Sequence, residues 1–167
     1  MVQNSKELLT SSWKARLTLR PDAWTVSPVK DGHNAWRNDP GAIKVFTPPA
    51  EIPATVPGSI HTDLIAAGVI KDISIDGKEQ DQFWIWKTDT EYITTLKKDS
   101  RPGNKTLVFH GLDTISTILI NGVEKLKTKN MHRSYRLDIT AEISAGDVEL
   151  KVLFKAPLTD AEDEIAK

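Results

Sequence analysis

The chain has 167 residues, enough to bury the core of one domain and too few for a catalytic barrel of about 250 residues. Its 22 Lys and Arg balance 23 Asp and Glu, which excludes the broad electropositive surface that nucleic acid or anionic lipid would require. There is no cysteine, so disulfides, thiolate metal sites and cysteine nucleophiles are excluded together.

The opening stretch, Met1 to Leu9, lacks the basic and then apolar run of a secretory signal, and no window approaches a membrane span, so the expectation is a cytoplasmic protein. Residues 21–53 are rich in Pro, Gly and Asn and hold neither a period of two nor one of 3.6. Residues 1–55 are therefore expected to form an irregular N-terminal segment laid over the domain, tethered by burial of Trp13, Trp24 and Trp36.

The pattern changes at Val56-Pro57-Gly58-Ser59. Ser59 is placed to cap a short helix over residues 60–67, with Ile60, Leu64 and Ala67 on one face and Gly68 ending it.

From Trp84 to Leu96 the residues are β-branched and aromatic, which predicts a strand, and Pro102-Gly103 breaks the pattern. Thr106 to His110 is the next strand. Thr114 to Ile120 is apolar on both faces, as expected of an interior strand. Asn121-Gly122 predicts a hairpin, because a type I′ turn needs positive φ at both central positions. Further strands are predicted from Val123 to Thr128 and from Ser134 to Ile139, and over Val148 to Lys155, where apolar and charged residues alternate. Short strands at this spacing predict a mostly β fold, an antiparallel β-sandwich or jelly roll, with residues 56–157 as its core. Residues 158–167 are expected to be an acidic helix or the start of a continuation that the chain cuts short.

Four blocks then form an ordered set. They are Val56-Pro-Gly-Ser-Ile-His-Thr-Asp-Leu64, Trp84-Ile-Trp-Lys-Thr-Asp-Thr-Glu-Tyr92, Gly111-Leu-Asp-Thr114 through Asn121-Gly122, and Asn130-Met-His-Arg-Ser-Tyr-Arg-Leu-Asp-Ile-Thr140. In order and spacing they resemble the N-terminal domain of β-mannosidases of glycoside hydrolase family two, from about Val56 to the C-terminus. The resemblance implies a galactose-binding-like jelly roll packed against a downstream barrel, whose paired glutamates hydrolyse terminal β-mannosides with retention. Neither glutamate belongs to this domain, so the chain alone is expected to be inactive. Departures from the family pattern are Thr90, where a Trp is usual, and Ile73-Ser-Ile-Asp-Gly77 in place of a Pro-Phe-Tyr-Gly-Asp-like stretch. The family's Trp-Asp-Trp-Gly-Pro block and closing strand are also absent. A sandwich without that strand exposes an edge, from which self-association is expected.

Among chemistry-bearing residues, Lys87-Thr88-Asp89 stands where related enzymes extend a loop towards the sugar. Thr88 and Asp89 are therefore candidate substrate contacts, against the alternative of a solvated turn carboxylate at Asp89. Trp84 and Trp86 complete the candidate substrate-binding set. On a strand they would share a face, either stacking on sugar or filling the space between sheets. His61 and Asp63 are two apart on a helix and point in different directions, which suits capping and packing better than an acid–base dyad.

Arg133, Tyr135 and Arg136 would be split across two faces of a strand, pairing with acidic neighbours rather than with nucleic acid. The four histidines lack ligand spacing, and the run Asp160 to Glu164 reads as a solvated helix rather than a calcium loop. Ser59 lacks a nucleophile elbow. No metal, cofactor or catalytic residue is expected within the chain. The expected partners are carbohydrate, as a β-mannoside, and a catalytic barrel outside the chain. The alternatives are a free-standing carbohydrate-binding module and a protein-interaction sandwich.

Overall fold

A computed structural model describes residues 5–10, 12–19, 49–72, 82, 84–86 and 88–157. Trp24, Trp36, Ile73 to Gly77, Lys87 and the acidic segment 158–167 lie outside the described residues. In chain order the elements are β1 (Trp13–Leu19), β2 (Ile52–Ala54), α1 (Ile60–Ala66), β3 (Thr88–Leu96), β4 (Thr106–Phe109), β5 (Ser116–Ile120), β6 (Val123–Thr128), β7 (Tyr135–Asp138), α2 (Thr140–Ala145) and β8 (Val148–Phe154). Antiparallel pairing builds a six-stranded sheet in the order β2-β1-β3-β8-β5-β6 and a two-stranded sheet of β4 and β7.

The alternation along the strands decides which face is buried. On β8, Val148, Leu150 and Val152 point inward, and the register sets them beside Leu96, Thr94 and Tyr92 of β3 and, for the latter two, Ile120 and Ile118 of β5. Leu107 of β4, with Phe109, Tyr135 and Leu137 packed against the same cluster, closes the core from the second sheet. Burying a side chain such as Ile118, which is 0% exposed, contributes about 1.5–3 kcal/mol.

The expected sandwich is therefore present, with several local differences. Residues 1–55, expected to be irregular, supply β1 and β2. β1 lies inside the sheet, paired to β3 from Lys14↔Ile93 to Leu19↔Thr88, with Trp13 and Ala15 in the core. Its alternation of Trp13, Ala15 and Leu17 with Lys14, Arg16 and Thr18 is that of a half-buried strand, too short to register in a segment dominated by Pro and Gly. The outer side carries the ion pairs of Lys14 and Arg16 with Glu51.

The hairpin at Asn121-Gly122 forms as expected, with φ of 50° and 77° at its two turn residues. Its first arm, β5, is interior as expected, between β8 and β6, while β6 is the outermost strand on that side among the described residues. Lys125 is the extra residue of a bulge in β6, opposite the step from Ile118 to Leu119, and its ammonium pairs with Glu142 of α2 at 2.8 Å.

Helix α2 was not expected. Asp138 Oδ1 accepts from both the backbone N–H of Thr140, at 2.8 Å, and its hydroxyl, at 2.6 Å. Ile139 and Ile143, four apart, then bury one face. An Asp-x-Thr start followed by this apolar pair was the available signal.

Candidate functional site

The block from Val56 to Leu64 is a docking joint between α1 and the sheet. A Cβ on Gly58 would lie 2.4 Å from the Thr55 carbonyl oxygen, so the chain can turn this tightly only with glycine there. Ser59 caps α1 as its sequence predicts: the Thr62 N–H donates to Ser59 Oγ, and Thr62 Oγ1 accepts from the Ser59 N–H in a reciprocal capping box. Past the helix, Gly68 adopts φ of 70°.

Asp63 is 3% exposed, and both its oxygens are used. Oδ1 accepts the Thr55 N–H and Oδ2 accepts the Tyr92 hydroxyl, each at 2.9 Å. Burial and the adjacent Asp63 carboxylate push the Tyr92 phenol far above the usual tyrosine range. Asp63 is thus the packing residue expected of it, joined to β3 by a contact that sequence spacing did not reveal. His61 is half-buried, which holds its imidazole below the usual histidine value.

The segment ahead of β3 corrects the reading of the tryptophans. Residues 84–86 form a 3₁₀ turn, and the strand begins at Thr88. Trp84 and Trp86 consequently do not share a strand face: Trp84 is 8% exposed and joins the core with Ile85, whereas Trp86 is 46% exposed. A turn with about three residues per revolution separates side chains two apart, which the alternation of a strand would have aligned. Gln82, just before the turn, is buried and donates its side-chain amide N–H to the Lys71 carbonyl at 2.8 Å, and its Oε1 is buried with no hydrogen-bond partner among the described residues.

Thr88 and Asp89 follow as the first residues of β3 and face opposite ways. The Thr88 hydroxyl, buried, donates to the Trp84 carbonyl at 2.7 Å. Asp89 is half-buried, and its Oδ1 accepts the N–H of Ala156, just past β8, at 2.8 Å. Asp89 is therefore not a solvated turn carboxylate. The Ala156 amide was invisible in the sequence, since a backbone N–H carries no residue-type signal.

These residues share one end of the sandwich with other loops. The Lys155 N–H donates to the Ile115 carbonyl at 3.0 Å, carrying the line from β8 to the start of β5. Thr128 Oγ1 and Ser116 Oγ lie 2.7 Å apart, the Thr114 hydroxyl bonds to Asp113 and contacts Met131 Sδ at 3.9 Å, and the Tyr135 hydroxyl donates to the Asn130 carbonyl at 3.0 Å. Arg133 lies over the Tyr135 ring, 5.9 Å from its centroid, while Arg136 in β7 is exposed. The expected separation of these side chains holds within β7, but Arg133 precedes the strand and folds back onto the aromatic ring. Among the described residues, no three His, Asp or Glu side chains gather in a geometry that would hold a metal ion.

Comparison with known proteins places this geometry. Residues 24–167 match the family model described as glycosyl hydrolase 2 galactose-binding domain-like. Among similar proteins, the β-mannosidase of Bos taurus is 37% identical over 114 residues, which is 66% of this chain and 13% of that protein. β-Mannosidase B of Aspergillus terreus is 32% identical over 117 residues, 68% of this chain and 14% of that protein. The chain thus spans about an eighth of the length of the curated relatives it matches. In fold it is similar to the crystal structure of a β-D-mannosidase from Dictyoglomus thermophilum, with a TM-score of 0.69 at 24% identity, covering 95% of this chain and 17% of that one. The jelly-roll sandwich, the ordered blocks and the family match lead to one assignment: the chain belongs to the glycosyl hydrolase 2 galactose-binding domain-like family.

Proposed function

We propose that this chain acts as the N-terminal accessory domain of a β-mannosidase-like glycoside hydrolase, helping to shape the substrate site of a catalytic barrel outside the chain. The observation that carries this reading is the match to relatives named β-mannosidases over a stretch that makes up only 13% of the first of them. Retaining hydrolysis needs a carboxylic acid and a carboxylate about 5 Å apart, both free to act on the sugar. Here both oxygens of Asp63 are engaged, one oxygen of Asp89 holds a backbone amide, and Asp113 is bonded by Thr114. The carbohydrate side of the domain is the end that presents Trp86, whose exposed ring offers an apolar face to a pyranose.

The purified 167-residue chain is expected to show no turnover of a chromogenic β-mannoside. Turnover that copurifies with the chain through successive columns would sink the accessory-domain reading. The exposure of Trp86 also favours a second reading, a free-standing carbohydrate-binding module. Saturable binding of manno-oligosaccharides by the isolated chain in the micromolar to millimolar range, about −8 to −4 kcal/mol, would support it.

A further inference from the structure

We infer that Thr88 and Asp89 are positioning residues that hold Trp86 out towards the sugar, rather than substrate contacts themselves. The inference rests on the reading of Trp86 as the sugar-facing ring. Thr88 is 3% exposed and its hydroxyl is committed to the Trp84 carbonyl, so a ligand could reach it only by breaking that bond. The bond closes the segment from Trp84 to Thr88 into a ring. Both ends of the ring are buried, Ile85 is buried between them, and Trp86 is left facing outward.

Asp89 makes the second attachment. Its carboxylate oxygen takes the Ala156 amide and ties the foot of β3 to the end of β8, the neighbouring strand. The two attachments lie at successive residues on opposite faces of β3. One holds the turn closed, and the other keeps the strand beneath it from moving away from β8. A large aromatic ring on a turn of this kind binds best when its orientation is set before the ligand arrives, because ordering it on binding costs affinity.

The test uses the full chain labelled with 5-fluorotryptophan, with the Trp86 fluorine resonance identified by its loss in Trp86→Phe and with β-1,4-mannobiose as the probe. In the wild type, mannobiose is expected to shift the Trp86 line. Thr88→Val, which keeps the shape and removes the hydroxyl, is expected to move or broaden the Trp86 line before any sugar is added, while the Trp13 line stays in place. Mannobiose affinity should fall by about tenfold, the loss expected when a bound orientation is no longer preset. Thr88→Ser, which restores the hydroxyl, should recover both.

Asp89→Ala should likewise disturb the Trp86 line, whereas Asp89→Asn, which retains a carbonyl oxygen for the Ala156 amide, should stay close to wild type. If Thr88→Val does not fold, the Asp89 pair decides. An unmoved Trp86 line in Thr88→Val, or in Asp89→Ala, overturns the positioning role while leaving the sugar-facing reading intact. A wild-type Trp86 line that mannobiose never shifts overturns the sugar-facing reading, and the positioning role with it.

Discussion

Tyr92 shows how a single side chain can join elements that the sequence keeps apart. Its hydroxyl donates to Asp63, 29 residues earlier, and its ring meets Phe154 edge-on at 5.9 Å. Tyr92→Phe keeps the ring packing and leaves Asp63 short of one buried partner. Stability is therefore expected to fall by about 1–3 kcal/mol in urea denaturation, and a loss below about 0.3 kcal/mol would show that the bond is not needed. The same contact makes a pH prediction. The phenol ionises only well above its ordinary value of 10.0 in the folded state, whereas in the unfolded chain it ionises near that value. The Tyr92 contribution is thus fully present below pH 10.0 and is lost as pH rises above it, because deprotonation then favours the unfolded chain. Base titration should show the Tyr92 phenol ionising only together with unfolding, so that its absorbance change tracks the loss of circular dichroism.

At the scale of elements, the turn and cap chemistry was legible and the strand boundaries less so. Asn121-Gly122 and Ser59 each carry a local rule that the fold obeys, because a positive-φ turn and a side-chain cap depend on residues a few positions apart. Gly122→Ala forces a Cβ onto a residue at φ of 77° with nothing within 4 Å to hinder it otherwise. A loss of about 1 kcal/mol, from backbone strain alone, is expected in thermal or chemical denaturation. Ser59→Ala removes one side of the capping box and should lower stability by about 1 kcal/mol, with Ser59→Asp retaining most of it. The start of β3 was not legible. Trp84, Ile85 and Trp86 are all strong strand formers, yet their backbone turns because Trp84 and Ile85 both find core space and the Thr88 hydroxyl closes the segment.

Over the whole molecule, the arrangement of edges determines how the domain meets others. Among the described residues β6 is the outermost strand on one side of the large sheet, and most of its side chains face solvent. Val123 is exposed there, while Glu124, Lys125 and Lys127 place charge along the strand. Such charges discourage pairing with a second copy. Replacing Glu124 and Lys127 together by Val is therefore expected to drive association, seen as a mass increase in light scattering at rising concentration. A strictly monomeric double variant would show that this edge is guarded by something other than charge.

The amino-acid order by itself determined the fold class, the cap of α1, the hairpin turn and the family, since each rests on periodicity, on local backbone chemistry or on motifs a few residues long. Only the tertiary structure decided that residues expected to be irregular supply β1 to the interior of the sheet, that Asp63 answers Tyr92, and that Trp84 is buried while Trp86 is exposed. The physical reason is common to all three. Each outcome depends on which distant strand or amide comes within bonding distance, and a short stretch of sequence holds no record of partners that lie up to 82 positions away, as Thr94 does from Ser12.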